Sequence, residues 1–308
     1  MSTPGPVVAV VGPTAAGKSA LGLALAQELG GEVVNADSMQ CYRGMDIGTA
    51  KLPLADRAGI AHHLLDIWAV SEAANVAAYQ RSAREVVDGL LARGVVPVVV
   101  GGSGLYVRAI LDDLRFPGTD AAVRSALESE LDADGPAPLH ARLATVDPAA
   151  AAAILPSNGR RIVRALEVVT ITGRPFPAGL SAYGPPVADR YVAVQVGLDP
   201  GVAELDTRID ARVQNMWEAG LIEEVRGLAG RGLRDGVTAR RALGYAQVLR
   251  LLAGEIDDSA ARTDTTRATR AYARRQRSWF RRDPRISWQA SAEAALAVVR
   301  REVATSAR

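Results

Sequence analysis

Three short runs rich in valine, residues 7–11, 32–36 and 95–100, punctuate the N-terminal third of the chain. Runs this brief, bounded by glycine and lacking a polar face, predict strands of a parallel sheet with both faces covered. The stretches between them carry a helical period. Residues 20–26 open a helix that Gly30 and Gly31 stop. Residues 75–91 place Val76, Tyr79, Ala83, Val86, Val87, Leu90 and Leu91 on one face, and Arg93 and Gly94 end that helix. Strand and helix in alternation predict an α/β fold.

Between residue 115 and about residue 186 the pattern changes. Strand signals thin out, alanine is frequent, and proline recurs at 117, 136, 138, 148, 156, 175, 177, 185 and 186. The expectation is a small helical insertion domain (115–187), set between a first core part (1–114) and a closing part with a helical C-terminal region (188–308). Residues 191–198 alternate and are rich in valine, as a further core strand would be. After Pro200 a long amphipathic helix gathers Leu205, Ile209, Val213, Met216 and Trp217 on its buried stripe, with Arg208 and Arg212 on a shared face. A second helix is expected near residues 239–252 and a third over residues 260–282. In the third, Arg267, Arg270, Arg274, Arg277 and Arg281 recur at spacings of three and four and form one basic stripe. Ala268, Tyr272 and Trp279 are expected on the opposite, core-facing side. Few acids in this helix offset the arginines, so the stripe reads as a surface for nucleic-acid phosphates.

The junction after the first strand carries the strongest chemical signal. Gly12, Pro13, Thr14, Ala15, Ala16, Gly17, Lys18 and Ser19 satisfy G-x-x-x-x-G-K-[ST], in the strand-to-helix context that this phosphate-binding loop requires. Successive backbone N–H groups and the helix N-terminus make a cavity for phosphate oxygens. Lys18 adds a point charge, and the Ser19 hydroxyl is a ligand for Mg²⁺. The fold expected is therefore a P-loop NTPase-like parallel sheet flanked by helices, a nucleotide-binding architecture in which the presence of ATP itself is left open.

Composition narrows the setting. The chain has 36 Lys+Arg, but lysine occurs only at 18 and 51, so the P-loop lysine stands out against a preference for arginine. One cysteine, Cys41, excludes an internal disulfide framework and suits a reducing cytoplasm. The net charge of +2 hides a concentration of nine arginines within residues 262–285, which favours a polyanionic partner. No apolar run approaches the ~20 residues of a membrane span.

Further candidates are weaker. Asp37 follows the second strand, at the edge of an open parallel sheet where ligands sit; a catalytic carboxylate and an N-cap or Asx-turn residue both fit there. The glycine turn at residues 101–104 could bring backbone close to a ligand. His62 and His63 lack a third metal ligand at suitable spacing. The arginines of residues 160–164 read either as a solvated face or as a contact surface.

The chain resembles the bacterial tRNA dimethylallyltransferase family. The resemblance rests on GPTAAGKS (12–19), ADSMQCYRGMDIGTAK (36–51), HHLLDI (62–67), VVGGSGLYVRAIL (99–111), RRIVRALEV (160–168), LDTRIDARVQNMWEAGLIEEV (205–225), ALGY (242–245) and TRAYARRQRSWF (269–280), which follow the family's order through nearly the whole chain. It implies transfer of the dimethylallyl group of dimethylallyl diphosphate to N6 of adenosine 37 in tRNA, with Mg²⁺ and release of diphosphate. By resemblance Asp37 takes the N6 proton, Thr14 lies near the bridging oxygen of the leaving group, and Lys18, Ser19 and Arg212 hold the diphosphate. Asp37, Ser38, Met39, Gln40, Ser103, Arg124, Arg160, Arg161 and Arg164 match parts that touch tRNA, and Arg270 and Arg274 join them from the basic stripe. Ser103 stands where the family commonly has threonine, and Ala246-Gln247 and Ser157-Asn158-Gly159 also depart from its pattern. The implied enzyme is a cytoplasmic monomer that engages the anticodon stem-loop. Three other readings compete: a small-molecule kinase, an isopentenyltransferase acting on free adenylate, and a GTP-dependent RNA-binding switch built on the D-x-x-G at residues 56–59.

Overall fold

A computed structural model describes residues 6–114, 116–176 and 190–306 of the chain. Strands β1 (Val7–Val11), β2 (Gly31–Asn35), β3 (His62–His63), β4 (Val96–Gly101), β5 (Ala193–Leu198) and β6 (Ser287–Gln289) form one sheet in the order β3-β2-β4-β1-β5-β6. Every neighbouring pair is parallel. The helices in chain order are α1 (Lys18–Leu29), α2 (Val76–Ala92), α3 (Gly104–Leu111), α4 (Ala121–Asp134), α5 (Pro136–Val146), α6 (Pro148–Ala153), α7 (Gly159–Thr172), α8 (Val202–Glu218), α9 (Leu221–Ala229), α10 (Tyr245–Leu252), α11 (Asp258–Phe280) and α12 (Ala292–Ser306).

The chain divides into two compact units, Met1–Leu111 with Asp189–Arg308, and Asp112–Ala188. In the first, β1 is buried along its whole length because both faces of the sheet are covered. Val7, Ala9 and Val11 pack with Tyr79, Ala83 and Val87 of α2 and with Ile110 of α3. Val8 and Val10 face the other way, onto Leu21 and Leu25 of α1 and Val299 of α12. A third cluster joins α8, α9, α10 and α11, and draws in Tyr42 and Met45 from the loop after β2. The stripe expected on the helix after Pro200 is the buried one: Leu205, Ile209, Val213, Met216 and Trp217.

The second unit has its own core, in which Leu127 of α4, Leu139 and Leu143 of α5 and Ile162 and Leu166 of α7 meet. Pro177, Pro185, Pro186 and residues 115 and 187, invoked above for the insertion, lie outside the described residues.

Two expectations for the C-terminal helices need correction. Residues 239–252 are interrupted: a 3-10 turn, Ala239–Arg241, precedes α10, because Gly244 takes a φ of 84° immediately before Tyr245. On α11 the buried stripe is Thr265, Thr269, Ala273, Gln276 and Phe280, while Tyr272, Trp279 and Ala268 are only half-buried on its flank. Apart from Phe280 this stripe is made of small and polar side chains, so a search for large apolar residues selects the flank, where Trp279 packs against the core.

Candidate active site

All strands being parallel, their carboxyl ends share one edge of the sheet, and the loops leaving β1, β2 and β4 converge there. The chain leaves β1 through Gly12, whose φ is 136° and whose missing Cβ would stand 2.5 Å from the Leu198 carbonyl oxygen, so a side chain has neither the backbone conformation nor the space. Ala15 (φ 64°) and Gly17 (φ 97°) carry the loop into the first turn of α1. Lys18 folds back over this loop and donates to the Pro13 carbonyl at 2.6 Å. Burial lowers its pKa to about 8; Asp37 opposes the shift and Arg212 adds to it.

Helix α8 reaches the loop with both arginines of its shared face. Arg212 Nη1 donates to Thr14 Oγ1 at 3.0 Å and its Nη2 to the Thr49 carbonyl at 3.1 Å, while Arg208 Nη1 lies 3.4 Å from the Ala16 carbonyl. Burial lowers the pKa of Arg212 and Asp37 opposes it. The Asp37 carboxylate thus acts electrostatically on both cations of the cradle, and Thr14, Lys18, Ser19, Asp37, Gln40 and Arg212 line one cavity. Val33, Val100, Leu52 and Leu65 give that cavity an apolar wall.

Asp37 is held at its backbone. Its N–H donates to Asn35 Oδ1 at 3.0 Å, Asn35 Nδ2 donates back to the Asp37 carbonyl at 3.1 Å, and Asp37 Oδ1 accepts the Met39 N–H at 2.9 Å. The residue therefore starts an Asx-type turn and also faces the cavity. Its Oδ2 has no hydrogen-bond partner among the described residues. Neighbouring groups fix the loop that follows. Ser103 Oγ accepts the Ser38 N–H and donates to Ser38 Oγ, and Gln40 Nε2 donates to the Thr49 carbonyl. Farther along, Glu224 accepts the N–H groups of Asp46, Ile47 and Gly48, and Lys51 bonds Asp46 and Asp66 at 2.5 and 2.7 Å.

Gly101 of the glycine turn after β4 lines the same cavity, and the turn is closely packed as well. A Cβ on Gly101 would collide with the Ala36 carbonyl, one on Gly102 with Gln276 Nε2, and one on Gly104 with the Trp279 ring. The missing side chains admit Ala36, just after β2, and α11. Gln276 is the residue that the sequence reading missed: its Oε1 accepts the Thr14 N–H at 2.8 Å and its Nε2 donates to the Gly102 carbonyl at 2.9 Å. A glutamine at helical spacing among Thr269, Ala273 and Phe280 was the signal. Asn35, Glu224 and Lys51 were missed for a similar reason, since their partners, backbone atoms and distant side chains, are not shown by a sequence.

Other predicted residues stand elsewhere. On α11 the basic stripe is not short of acids, as expected from its own helix: Arg270 bonds Asp210 and lies beside Asp206, Arg274 bonds Asp206, Arg277 and Arg281 bond Asp199, and Arg267 pairs with Asp264. Most of those acids arrive from α8 or from the turn after β5, out of reach of any one-helix reading. In the second unit, Arg124 and Arg164 converge on Glu167, which is fully buried. Burial pushes the Glu167 carboxyl up, but the bonds from Arg124 and Arg164 outweigh it and hold it below its ordinary range. Arg160 and Arg161 are exposed at the first turn of α7. His62 and His63 are β3 itself; His63 Nε2 lies 2.5 Å from Glu32, and no cluster of three potential acidic, His or Cys metal ligands exists among the described residues.

The sequence profile described as IPP transferase matches residues 40–283. Among curated proteins, the tRNA dimethylallyltransferase of Salinispora arenicola is 64% identical over 292 residues, covering 95% of this chain and 84% of that protein. That of Streptomyces coelicolor is 64% identical over 282 residues, covering 92% of this chain and 89% of that protein. Among solved structures, the tRNA isopentenylpyrophosphate transferase of Bacillus halodurans superposes with a TM-score of 0.70 at 37% identity, over 98% of this chain and 96% of its own. A eukaryotic dimethylallyltransferase acting on tRNA gives 0.74 at 27% identity, over 90% of this chain and 70% of its own.

Proposed function

The chain belongs to the IPP transferase family, and we propose that it moves the dimethylallyl group of dimethylallyl diphosphate onto N6 of adenosine 37 in tRNA and releases diphosphate. It is an enzyme, a prenyltransferase that modifies tRNA. The observation that carries the atomic reading is the shared cavity: a carboxylate, Asp37, opposite a P-loop whose Lys18 and Arg212 are both within its field.

Breaking the allylic C–O bond leaves positive charge on carbon and negative charge on the departing diphosphate. Lys18, Arg212 and the Thr14 hydroxyl stabilise that negative charge where it develops. The apolar wall of Val33, Val100, Leu52 and Leu65 suits the five-carbon group. An exocyclic adenine amine is a poor nucleophile, so Asp37 Oδ2 takes its proton as attack proceeds. Asn35 keeps that oxygen aimed by gripping the Asp37 backbone on both sides. Residues 37–40 and Ser103 border the acceptor side, and the base leaves the anticodon-loop stack to enter. Arg124, Arg160, Arg161, Arg164, Arg270 and Arg274 are proposed contacts to the RNA backbone. Mg²⁺ fits the hard oxygen donors at hand, with Ser19 as the residue that would hold it beside the phosphates; when bound it neutralises charge on the leaving group. We read the enzyme as a cytoplasmic monomer; no helix among the described residues is long and apolar enough to cross a membrane.

Incubation with dimethylallyl diphosphate, Mg²⁺ and an unmodified anticodon stem-loop, without ATP, is expected to give a nucleoside 37 heavier by one dimethylallyl group. Asp37→Ala is expected to lower turnover by about 10²–10⁴-fold while sparing stem-loop affinity. A requirement for ATP would favour a kinase, and a preference for AMP would move the acceptor to free nucleotide.

A further inference from the structure

Gln276 is 5% exposed, on the buried stripe of α11, and each end of its amide is committed to a different loop. Its Oε1 accepts the N–H of Thr14 and its Nε2 donates to the Gly102 carbonyl, at 2.8 and 2.9 Å. Packing alone does not ask for an amide here, since burying one is unfavourable unless it is fully bonded. The opposite loop is shaped to receive it: a Cβ at Gly102 would collide with Gln276 Nε2. In a phosphate-binding loop the backbone N–H groups face the anion, yet the N–H of Thr14 is turned onto the helix. The hydroxyl of the same residue accepts from Arg212 at 3.0 Å. Thr14 is therefore clamped through its backbone by α11 and through its side chain by α8. A hydroxyl whose lone pair receives Arg212 has one proton to give, and the clamp fixes where it points.

We propose that Gln276 is a positioning residue for the leaving group: by holding the Thr14 backbone to α11, it aims the Thr14 hydroxyl proton at the diphosphate oxygen from which the allylic carbon departs. This rests on the reading of Thr14 given above. It makes the leaving-group cradle depend on the seating of α11, the helix whose outer flank carries Arg270 and Arg274.

The test is a double-mutant cycle on single-turnover prenyl transfer to the stem-loop, using Gln276→Met, Thr14→Ala and the double variant. Gln276→Met is expected to lower the rate roughly 30-fold, the scale of a misplaced catalytic group, with KM for the stem-loop within about twofold. In the Thr14→Ala background the same substitution is expected to cost under about twofold, because its target is gone. Should Gln276→Met fail to fold, Gln276→Leu, which likewise removes the acceptor for the Thr14 N–H, enters the same cycle. A full loss that persists in the Thr14→Ala background, or no loss at all, overturns the proposal. Absence of prenyl transfer by the unaltered protein would instead remove the reading of the reaction on which it stands.

Discussion

Arg212 and the arginines of α11 are the same residue type in neighbouring helices, yet they face opposite kinds of partner. Arg212 bonds two uncharged oxygens, Thr14 Oγ1 and the Thr49 carbonyl, and among the described residues no carboxylate stands within ion-pair distance of it. Arg270, Arg274, Arg277 and Arg281 each meet an aspartate from α8 or from the turn after β5. A cation withdrawn from water without a countercharge is unfavourable, and burial accordingly lowers the pKa of Arg212. Such a residue persists where an anion arrives as ligand. The α11 arginines already have their anions, so much of their charge is committed to fastening α11 onto α8 and the turn after β5. Charge content does not separate a binding arginine from a strut; the absence of an acid does.

The sharpest way to break this contrast is Arg212→Ala. If the unpaired guanidinium exists for the diphosphate, its loss is expected to lower the single-turnover rate by about 10²–10³-fold, as removal of a preorganised donor does. Arg212→Lys should recover only part of that, because one ammonium cannot span Thr14 Oγ1 and the Thr49 carbonyl together. A rate within about threefold of the unaltered enzyme for Arg212→Ala would abolish the distinction. The same substitution at Arg281, which pairs with Asp199, is expected to leave the rate unchanged.

The sheet and its P-loop were legible because the signals are local: valine runs for β1 and β4, a fixed spacing for residues 12–19, and a clean buried stripe on α8. Arg212 was legible only through resemblance, and Asp37 was ambiguous because a carboxylate that starts a turn looks like one that does chemistry. The structure shows it bonding Met39 with one oxygen while facing the cavity. What stayed hidden is non-local. The acids opposite the α11 stripe come from α8 and the end of β5, and Gln276 acts on a loop 262 positions away in sequence. The core-facing side of α11 was misjudged because, apart from Phe280, its buried positions are threonine, alanine and glutamine, which carry little hydrophobic contrast with a flank holding Tyr272 and Trp279.

Lys18 extends the contrast to protonation. With its pKa lowered to about 8 by burial, it is partly neutral just above neutrality. A diphosphate draws its proton back, so binding above pH 8 is expected to take up a proton and to weaken roughly tenfold per pH unit. Calorimetry of dimethylallyl diphosphate binding at pH 8.5 in two buffers of different ionisation enthalpy reads that proton directly; identical heats in the two buffers would refute the account. Folding carries the opposite sign. Between about 8 and the ordinary value of 10.5 the unfolded chain holds this proton and the folded protein does not, so the lysine's contribution to stability rises with pH across that window.

The smallest effect tests the paired side of the comparison. If RNA phosphates contact Arg270 and Arg274, they compete with Asp206 and Asp210 for the same guanidinium groups, and about half of the Arg274 side chain is exposed (54%). Neutralising both arginines to glutamine is therefore expected to flatten the dependence of log Kd on log salt for a stem-loop by less than the slope of about 1.4–1.8 that two free phosphate contacts carry. Replacing Asp206 and Asp210 with asparagine should act the other way, tightening binding a few-fold and steepening the slope, because it releases two cations without moving them. A pair of variants that shift the slope in the same direction, or leave it alone, would mean that the stripe serves only to hold α11 against α8, and that the enzyme grips its RNA with other arginines.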